Sequence, residues 1–239
     1  MFFLSIMDTV FWIHIIAAVA PAIFLLKYVY DQDKIEREPL PLILKLIFMG
    51  VIAGLAAIVL ETIGEKVLGI FVPGNNQKYT ILLAFLVVAC AEEGMKFLLL
   101  RKTTWDNPEF NFRYDGIVYA ASVSLGFAAF ENIGYIFRYG LSIAGTRALF
   151  AIPGHLGFSV FMGYFYGRAK LCDDIGDDTR KQRNLTAAFL VPVFLHGFYD
   201  SCAMLNTVLS NVLFYTFVII MYIIVFRMVK REAANDRAV

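Results

Sequence analysis

The sequence predicts an all-α membrane protein that crosses the bilayer several times. Apolar residues make up 59% of its 239 residues and charged residues only 17%, and the mean hydropathy is +0.68. Long apolar runs recur along the chain, and about 20 helical residues are enough to cross a hydrocarbon core of ~30 Å. These runs lack the alternating pattern of a transmembrane β-barrel, so the expected spans are helices.

Seven membrane spans are predicted, near residues 10–30, 41–60, 81–100, 117–137, 148–166, 185–204 and 208–226. The first run is longer than the apolar core of a signal peptide and has no basic segment before it, so it is interpreted as a membrane helix. The loops are short, which predicts a single membrane-embedded domain over residues 1–239. Cys90, Cys172 and Cys202 lack metal-binding spacing and are interpreted as packing residues.

The basic residues predict the orientation. The loops after spans one, three and five, together with the C-terminal tail, carry 16 of the 21 Lys and Arg residues, whereas the opposite side carries 4. Because basic residues accumulate on the cytoplasmic side, we expect the N-terminus outside and the C-terminus in the cytoplasm of a cell membrane. The net charge of +1 gives no reason to expect a nucleic-acid partner.

Polar side chains inside four of the spans form the candidate site. They are Glu92, Glu93 and Lys96 in span three, Glu131 and Asn132 in span four, His155 in span five, and His196 and Asp200 in span six. A charge at mid-bilayer costs ~3 kcal/mol or more, so such residues are expected to face the protein interior and to be functional. At ~1.5 Å per residue from the predicted outer ends, the titratable members lie ~9 to 17 Å deep, in the outer half of the bilayer.

Helical spacing indicates which of these groups act together. Lys96 lies four residues after Glu92 and three after Glu93, so it can hold one of these carboxylates ionised, while the other, about 100° round the helix, points elsewhere. His196 and Asp200 are also four residues apart, and such a carboxylate can fix the imidazole tautomer. Four carboxylates against one ammonium leave three negative charges, which predicts bound protons or a bound dication.

The residues resemble the PrsW-type intramembrane peptidases, relatives of the CAAX prenyl protease and bacteriocin-processing superfamily. The resemblance covers residues 80–204 and is carried by Glu92-Glu93-x-x-Lys96, Phe127-x-x-x-Glu131-Asn132 and His196-x-x-x-Asp200, with Asp115-Gly116 opening span four and His155 in span five. It implies a catalytic core in that region. It also implies cleavage of a single-span, anti-sigma-factor-like protein near the extracytoplasmic face, as the first cut in a stress-signalling cascade.

Two mechanisms of peptide hydrolysis are consistent with these residues. In the first, Glu131, His155 and His196 bind Zn²⁺ with one open position, and one of the paired glutamates of span three is the general base for the metal-bound water. In the second there is no metal. One of the paired glutamates then activates water directly, while His196 and Asn132 stabilise the oxyanion.

Other classes of protein are less consistent with the sequence. The chain has no HExxH, GxSG or GxGD motif, which excludes zincin-like, serine and presenilin-like sites. A proton- or cation-coupled transporter would also bury carboxylates, Lys and His at mid-membrane. However, the sequence has no inverted repeat and no pair of broken helices in matching halves, which are typical of transporters.

Overall fold

Long helices form most of the chain. The computed structural model describes residues 2–239, with side chains from Asp8 onward. In chain order the helices are α1 (Phe2–Gln32), α2 (Leu40–Phe71), α3 (Gln77–Leu82), α4 (Cys90–Thr104), α5 (Asp115–Tyr139), α6 (Ala144–Leu149), α7 (Ala151–Asp174), α8 (Asp178–Leu205) and α9 (Val208–Ala234). Six of these, α1, α2, α5, α7, α8 and α9, are long and apolar enough to cross a membrane. The prediction of an all-helical, multi-pass membrane protein is therefore confirmed.

The third predicted span is helical but irregular. A π-helical segment, Leu83–Ala89, joins α3 to α4, so residues 77–104 form one continuous helical stretch. Beyond its end, Asn111 Nδ2 donates a hydrogen bond of 3.1 Å to Glu36 Oε2, just before α2. Since α2 runs 32 residues away from that end of the bundle, residues 77–104 must cross the same thickness on the return. Six helices thus have the length and composition of a membrane span, and we interpret this stretch as the seventh pass.

The C-terminal tail packs at the same end of the bundle as the loops after α1 and α4. Phe112 forms an isolated antiparallel bridge with Ala238, and Arg113 N donates to Arg237 O at 2.9 Å. Three of the four segments expected on the cytoplasmic side thus lie together. We call this end of the bundle the tail end.

Helix α5 lies at the centre and packs against α1, α2 and α7. Glycines allow the helices to approach closely. A Cβ added at Gly126 would lie 2.3 Å from Ile47 O of α2, and one added at Gly163 of α7 would lie 2.3 Å from Gly116 O. Small residues let helix backbones meet in this way within membranes. Helix α5 is therefore held firmly on two sides, and its far half carries Glu131 and Asn132.

Candidate active site

Lys96 lies at the centre of a buried polar network. Its Nζ donates to Glu93 Oε1 at 2.8 Å and to Glu92 Oε2 at 3.2 Å, and it lies 3.1 Å from His155 Nδ1. The side chain is 1% exposed and stands 3.9 Å from the Phe127 ring centroid. An ammonium has three N–H donors, so these three acceptors use all of them. Helical spacing predicted that Lys96 would hold only one of the two carboxylates, but it contacts both, and the fold adds His155.

His155 connects Lys96 to Glu131. Because Nδ1 accepts a hydrogen bond from Lys96, the neutral ring carries its own proton on Nε2, which lies 3.1 Å from Glu131 Oε2. The backbone oxygen of His155 accepts a hydrogen bond from Ser124 Oγ at 3.0 Å, which links α7 to α5. His155 is thereby fixed in one tautomer and one orientation.

Arg147 of α6 also belongs to the network, although the predicted spans place it in a loop. Its Nη2 donates to Glu131 Oε2 at 2.9 Å, and its Nε donates to Asn132 Oδ1 at 2.7 Å. Asn132 is fully buried, and its Nδ2 donates to Ala18 O of α1 at 2.7 Å. Asn132 therefore joins α1 to Arg147 through both ends of its amide group.

His196 lies between two carboxylates. Its Nδ1 is 2.9 Å from Glu93 Oε1 and its Nε2 is 3.4 Å from Asp200 Oδ2. The ring stacks on Phe158, with centroids 4.7 Å apart and planes inclined by 18°. Both partners are carboxyl oxygens, so each contact needs a proton, either on the ring or on the carboxyl group. The expected pairing of His196 with Asp200 is present, and Glu93 is an additional partner.

Two cavities, each of about 420 Å³, open beside this network. The first lies between α2 and α5. The second is lined by His155, His196, Asp200 and Arg147 and by residues of α9. The four residues that line both cavities are Glu61, Glu92, Glu131 and Tyr135. Glu92 therefore faces open space, whereas Glu93 has no exposed surface and lines neither cavity.

The place of Glu61 at the candidate site was not predicted from the sequence either. The second span was expected to end at residue 60, but α2 continues to Phe71, so Glu61 lies inside the helix and beside both cavities. The apolar residues that follow Glu61, such as Ile63 and Val67, were the signal that the helix continues. Glu61 adds a carboxylate to the site and Arg147 adds a cation, so the excess of three negative charges is unchanged.

The structure brings together a different set of possible metal ligands from the one expected. Glu92, Glu93 and His155 each offer one ligand atom, and these atoms lie within 4.8 Å of one another. Their chemistry suits Zn²⁺. However, Lys96 Nζ lies within 3.2 Å of an atom of each residue, so the ammonium already serves as the cation that they share.

The two histidines of the expected Zn²⁺ set already use both of their ring nitrogens in contacts with other side chains. Both ring nitrogens of His155 contact side chains, namely Lys96 and Glu131. Both ring nitrogens of His196 face the carboxylates of Glu93 and Asp200. In this arrangement the site does not fit a metal ion unless Lys96 moves away.

Comparison with known proteins identifies the family. Residues 38–228 match the model of the PrsW family, described as "PrsW family intramembrane metalloprotease". The chain belongs to this family. The sequence resemblance is thus confirmed, and the protein is an intramembrane peptidase embedded in the membrane by several helices.

Curated PrsW relatives cover most of the chain. The protein named Protease PrsW from Geobacillus kaustophilus is 39% identical over 77% of this chain and 76% of its own length. The proteins of the same name from Oceanobacillus iheyensis and Bacillus subtilis are 36% and 33% identical, each over 92% of this chain and over 95% and 94% of their own lengths. No solved structure is a significant match. The PrsW likeness therefore extends over almost the whole membrane domain, beyond the region that carries the motifs.

Proposed function

We propose that this PrsW-family protein cleaves a single-span membrane protein with a water molecule activated by Glu92. The observation that carries the proposal is that Glu92 borders both cavities, whereas Glu93 is enclosed by Lys96 and His196. A general base must lie within hydrogen-bond reach of the water that it deprotonates. Glu92 lines cavities that water can enter, whereas Glu93 is better placed to position its two neighbours.

The neighbouring groups have complementary roles in this proposal. Water loses a proton to the Glu92 carboxylate as it attacks the peptide carbonyl carbon. The C–N bond then breaks, and the protonated Glu92 gives that proton to the leaving amine nitrogen. His196 lies between Glu93 and Asp200 at the wall of the second cavity, so it acts in this proposal through the positive charge of its imidazolium form, which stabilises the negative charge developing on the carbonyl oxygen. Asn132 is buried behind Arg147, so we assign it a positioning role instead of the oxyanion contact considered from the sequence.

The cavities suggest how the substrate binds. Both are lined by Glu92, so a peptide segment that occupies either cavity would place a peptide bond near this carboxylate. The second cavity is bordered by Thr146, Arg147 and Phe150 at the end of the bundle opposite the tail. With the tail in the cytoplasm, cleavage occurs toward the extracytoplasmic face. A membrane-anchored regulator of the anti-sigma-factor class is the substrate that the resemblance implies.

Reconstitution with a single-span substrate tests this function. We expect Glu92→Gln to lower the cleavage rate by roughly 10²-fold or more, the usual contribution of a general base. Glu65→Gln is the matched control because Glu65 is an exposed glutamate of α2. Full cleavage by the folded Glu92→Gln protein would show that another group is the base, and retained transport without any cleavage would favour the transporter alternative.

A metal-dependent version of the same reaction has two observations in its favour. The description of the PrsW family includes the word metalloprotease, and Glu93 Oε2 has no hydrogen-bond partner among the described residues. Elemental analysis of the purified protein, combined with chelation, distinguishes the two versions. We expect cleavage to continue in metal-free protein. Loss of cleavage on chelation, with recovery on adding Zn²⁺, would support the metal-dependent version. Lys96 would then have to move away from Glu92, Glu93 and His155 to make room for the ion.

A further inference from the structure

The tail end of the bundle buries a second group of carboxylates, far from the active site. Asp33 follows α1, Glu38 precedes α2 and Asp115 opens α5, and these residues are only 2%, 4% and 1% exposed. One oxygen of each lies within 4.8 Å of the others. Asp236 of the C-terminal tail lies beside them and accepts a hydrogen bond of 2.8 Å from Tyr114 N. We call these four residues the tail-end cluster.

Among the described residues, basic side chains lie near the tail-end cluster without forming an ion pair with it: the charge of Arg37 acts on Asp33 and that of Arg113 on Asp236. Within residues 8–239, none of the four carboxylates takes part in a salt bridge. Arg113 is the basic residue next to Tyr114, but its guanidinium pairs with Glu232 at 3.0 Å and donates to Asn235 O at 3.1 Å. Several buried carboxylates without an ion pair are costly, so further positive charge would stabilise this group.

Each carboxylate also keeps one oxygen without a hydrogen-bond partner in the described part of the chain. These atoms are Asp33 Oδ2, Glu38 Oε2, Asp115 Oδ1 and Asp236 Oδ2. In Asp115 the other oxygen, Oδ2, accepts hydrogen bonds from Phe112 N at 2.7 Å and Asn111 N at 3.1 Å. The backbone therefore fixes this carboxylate and leaves its second oxygen available to a ligand.

We propose that the tail-end cluster binds a divalent cation of the hard class, Mg²⁺ or Ca²⁺. Its side-chain ligands are all carboxylate oxygens, the donors that these ions prefer, and the cluster contains no His or Cys ligand of the kind that selects Zn²⁺. The cation would join the loop after α1, the start of α2, the start of α5 and the tail. It is distinct from any ion at the active site, because Asp115 and Glu131 are separated by about 24 Å along α5.

Bound protons are the alternative way to neutralise the cluster. Burial raises the pKa of Asp33 to about 6 and that of Glu38 to about 7, so protons compete with a cation near neutral pH. The experiment must therefore measure the cation directly, instead of inferring it from stability.

Terbium luminescence on the full-length protein in an uncharged detergent provides that measurement. Tb³⁺ is a hard-cation probe, and Tyr30, whose hydroxyl donates to Glu38 O at 2.8 Å, is close enough to sensitise it. We expect saturable emission that Ca²⁺ or Mg²⁺ displaces. Asp33→Asn and Glu38→Gln should each weaken Tb³⁺ binding roughly tenfold or more, since even outer partners of metal ligands contribute that much.

Two variants serve as controls. Asp174→Asn removes an exposed carboxylate at the end of α7, and Glu92→Gln alters the active site, so neither should change the emission. The proposal is overturned if no saturable emission appears, or if Asp33→Asn and Glu38→Gln bind Tb³⁺ as well as Asp174→Asn does. It is equally overturned if the melting temperature responds to pH but not to millimolar Ca²⁺ or Mg²⁺, because protons would then neutralise the cluster. Loss of the signal in Glu92→Gln would place the ion at the active site instead.

Discussion

Lys96 contacts two glutamates of its own helix, Phe127 of α5 and His155 of α7. Only some of these contacts could be predicted from the sequence. Its contacts with Glu92 and Glu93 follow from helix geometry, because side chains three and four positions apart are neighbours. Its contact with His155 joins residues 59 positions apart and depends on how α4 packs in the bundle. Spacing alone therefore indicated which groups belong to the site, but not which atoms meet.

The contributions of Glu61 and Arg147 to the candidate site were not predicted, because helix ends are hard to locate from the sequence. Glu61 lay one residue beyond an expected span, and Arg147 lay in an expected loop, so neither qualified as a charge inside the membrane. The extension of α2 and the short helix α6 bring both residues to the cavities. The positions of helix ends, which hydropathy locates poorly, decide whether such residues belong to the site.

Removing Lys96 should destabilise the protein strongly. In Lys96→Met the Glu93 carboxylate stays fully buried without its ammonium partner, and breaking a buried pair from one side costs about 3 kcal/mol or more. Thermal unfolding in detergent measures the effect, with Lys66→Met, an exposed lysine of α2, as the control. The double variant Lys96→Met/Glu93→Gln should recover much of the loss. If Lys96→Met were as stable as Lys96→Met/Glu93→Gln, the unpaired Glu93 carboxylate would not be the cause of the destabilisation.

Glu61 should affect cleavage more than folding. In Glu61→Gln we expect the melting temperature to stay near that of the parent, while kcat/KM falls on the order of tenfold, equivalent to about 1.4 kcal/mol in the activation free energy. The physical reason is that Glu61 borders both cavities beside Glu92 and Glu131, where its charge acts on the reacting groups. Glu65→Gln, one turn further along α2, is the control, and an equal effect in both variants would remove Glu61 from the site.

Among the helices, the long regular spans were predictable and the irregular segments were not. Apolar runs locate a membrane helix because the bilayer requires internally satisfied backbone hydrogen bonds. The π-helical segment Leu83–Ala89 instead accompanies close packing against α8, where a Cβ at Gly197 would lie 2.5 Å from the Phe85 side chain. Such segments are frequent at functional sites, and this one directly precedes the helix that carries Glu92.

The contact between α2 and α5 should be sensitive to a single methyl group. Gly126→Ala would place a Cβ 2.3 Å from Ile47 O, a backbone atom that can move only with its helix. We expect a destabilisation of about 1 to 3 kcal/mol, together with reduced cleavage because α5 carries Glu131. Gly69→Ala is the control, since nothing lies within 4 Å of its added Cβ, and it should be neutral or slightly stabilising. Equal stability of the two variants would show that the helices separate at little cost.

The number of passes was predictable from hydropathy, but their three-dimensional arrangement needed the structure. Seven passes place the two termini at opposite ends of the bundle. The tail meets the loops after α1 and α4, which the distribution of Lys and Arg had grouped on one side. The proposed active site lies toward the other end. The orientation of the whole molecule in the membrane therefore decides the side from which a substrate is cut.

Cysteine labelling of intact cells tests this orientation. In a background where Cys90, Cys172 and Cys202 are replaced by Ser, Asn75→Cys lies in the exposed connection after α2 and Asp178→Cys lies at the start of α8. Because basic residues remain on the cytoplasmic side, a membrane-impermeant thiol reagent should modify Asn75→Cys in intact cells. Asp178→Cys should react only after permeabilisation. The reverse pattern would mean that the molecule is inverted, with the proposed active site toward the cytoplasm. Labelling of both positions from outside would contradict the three passes that separate them, namely residues 77–104, α5 and α7.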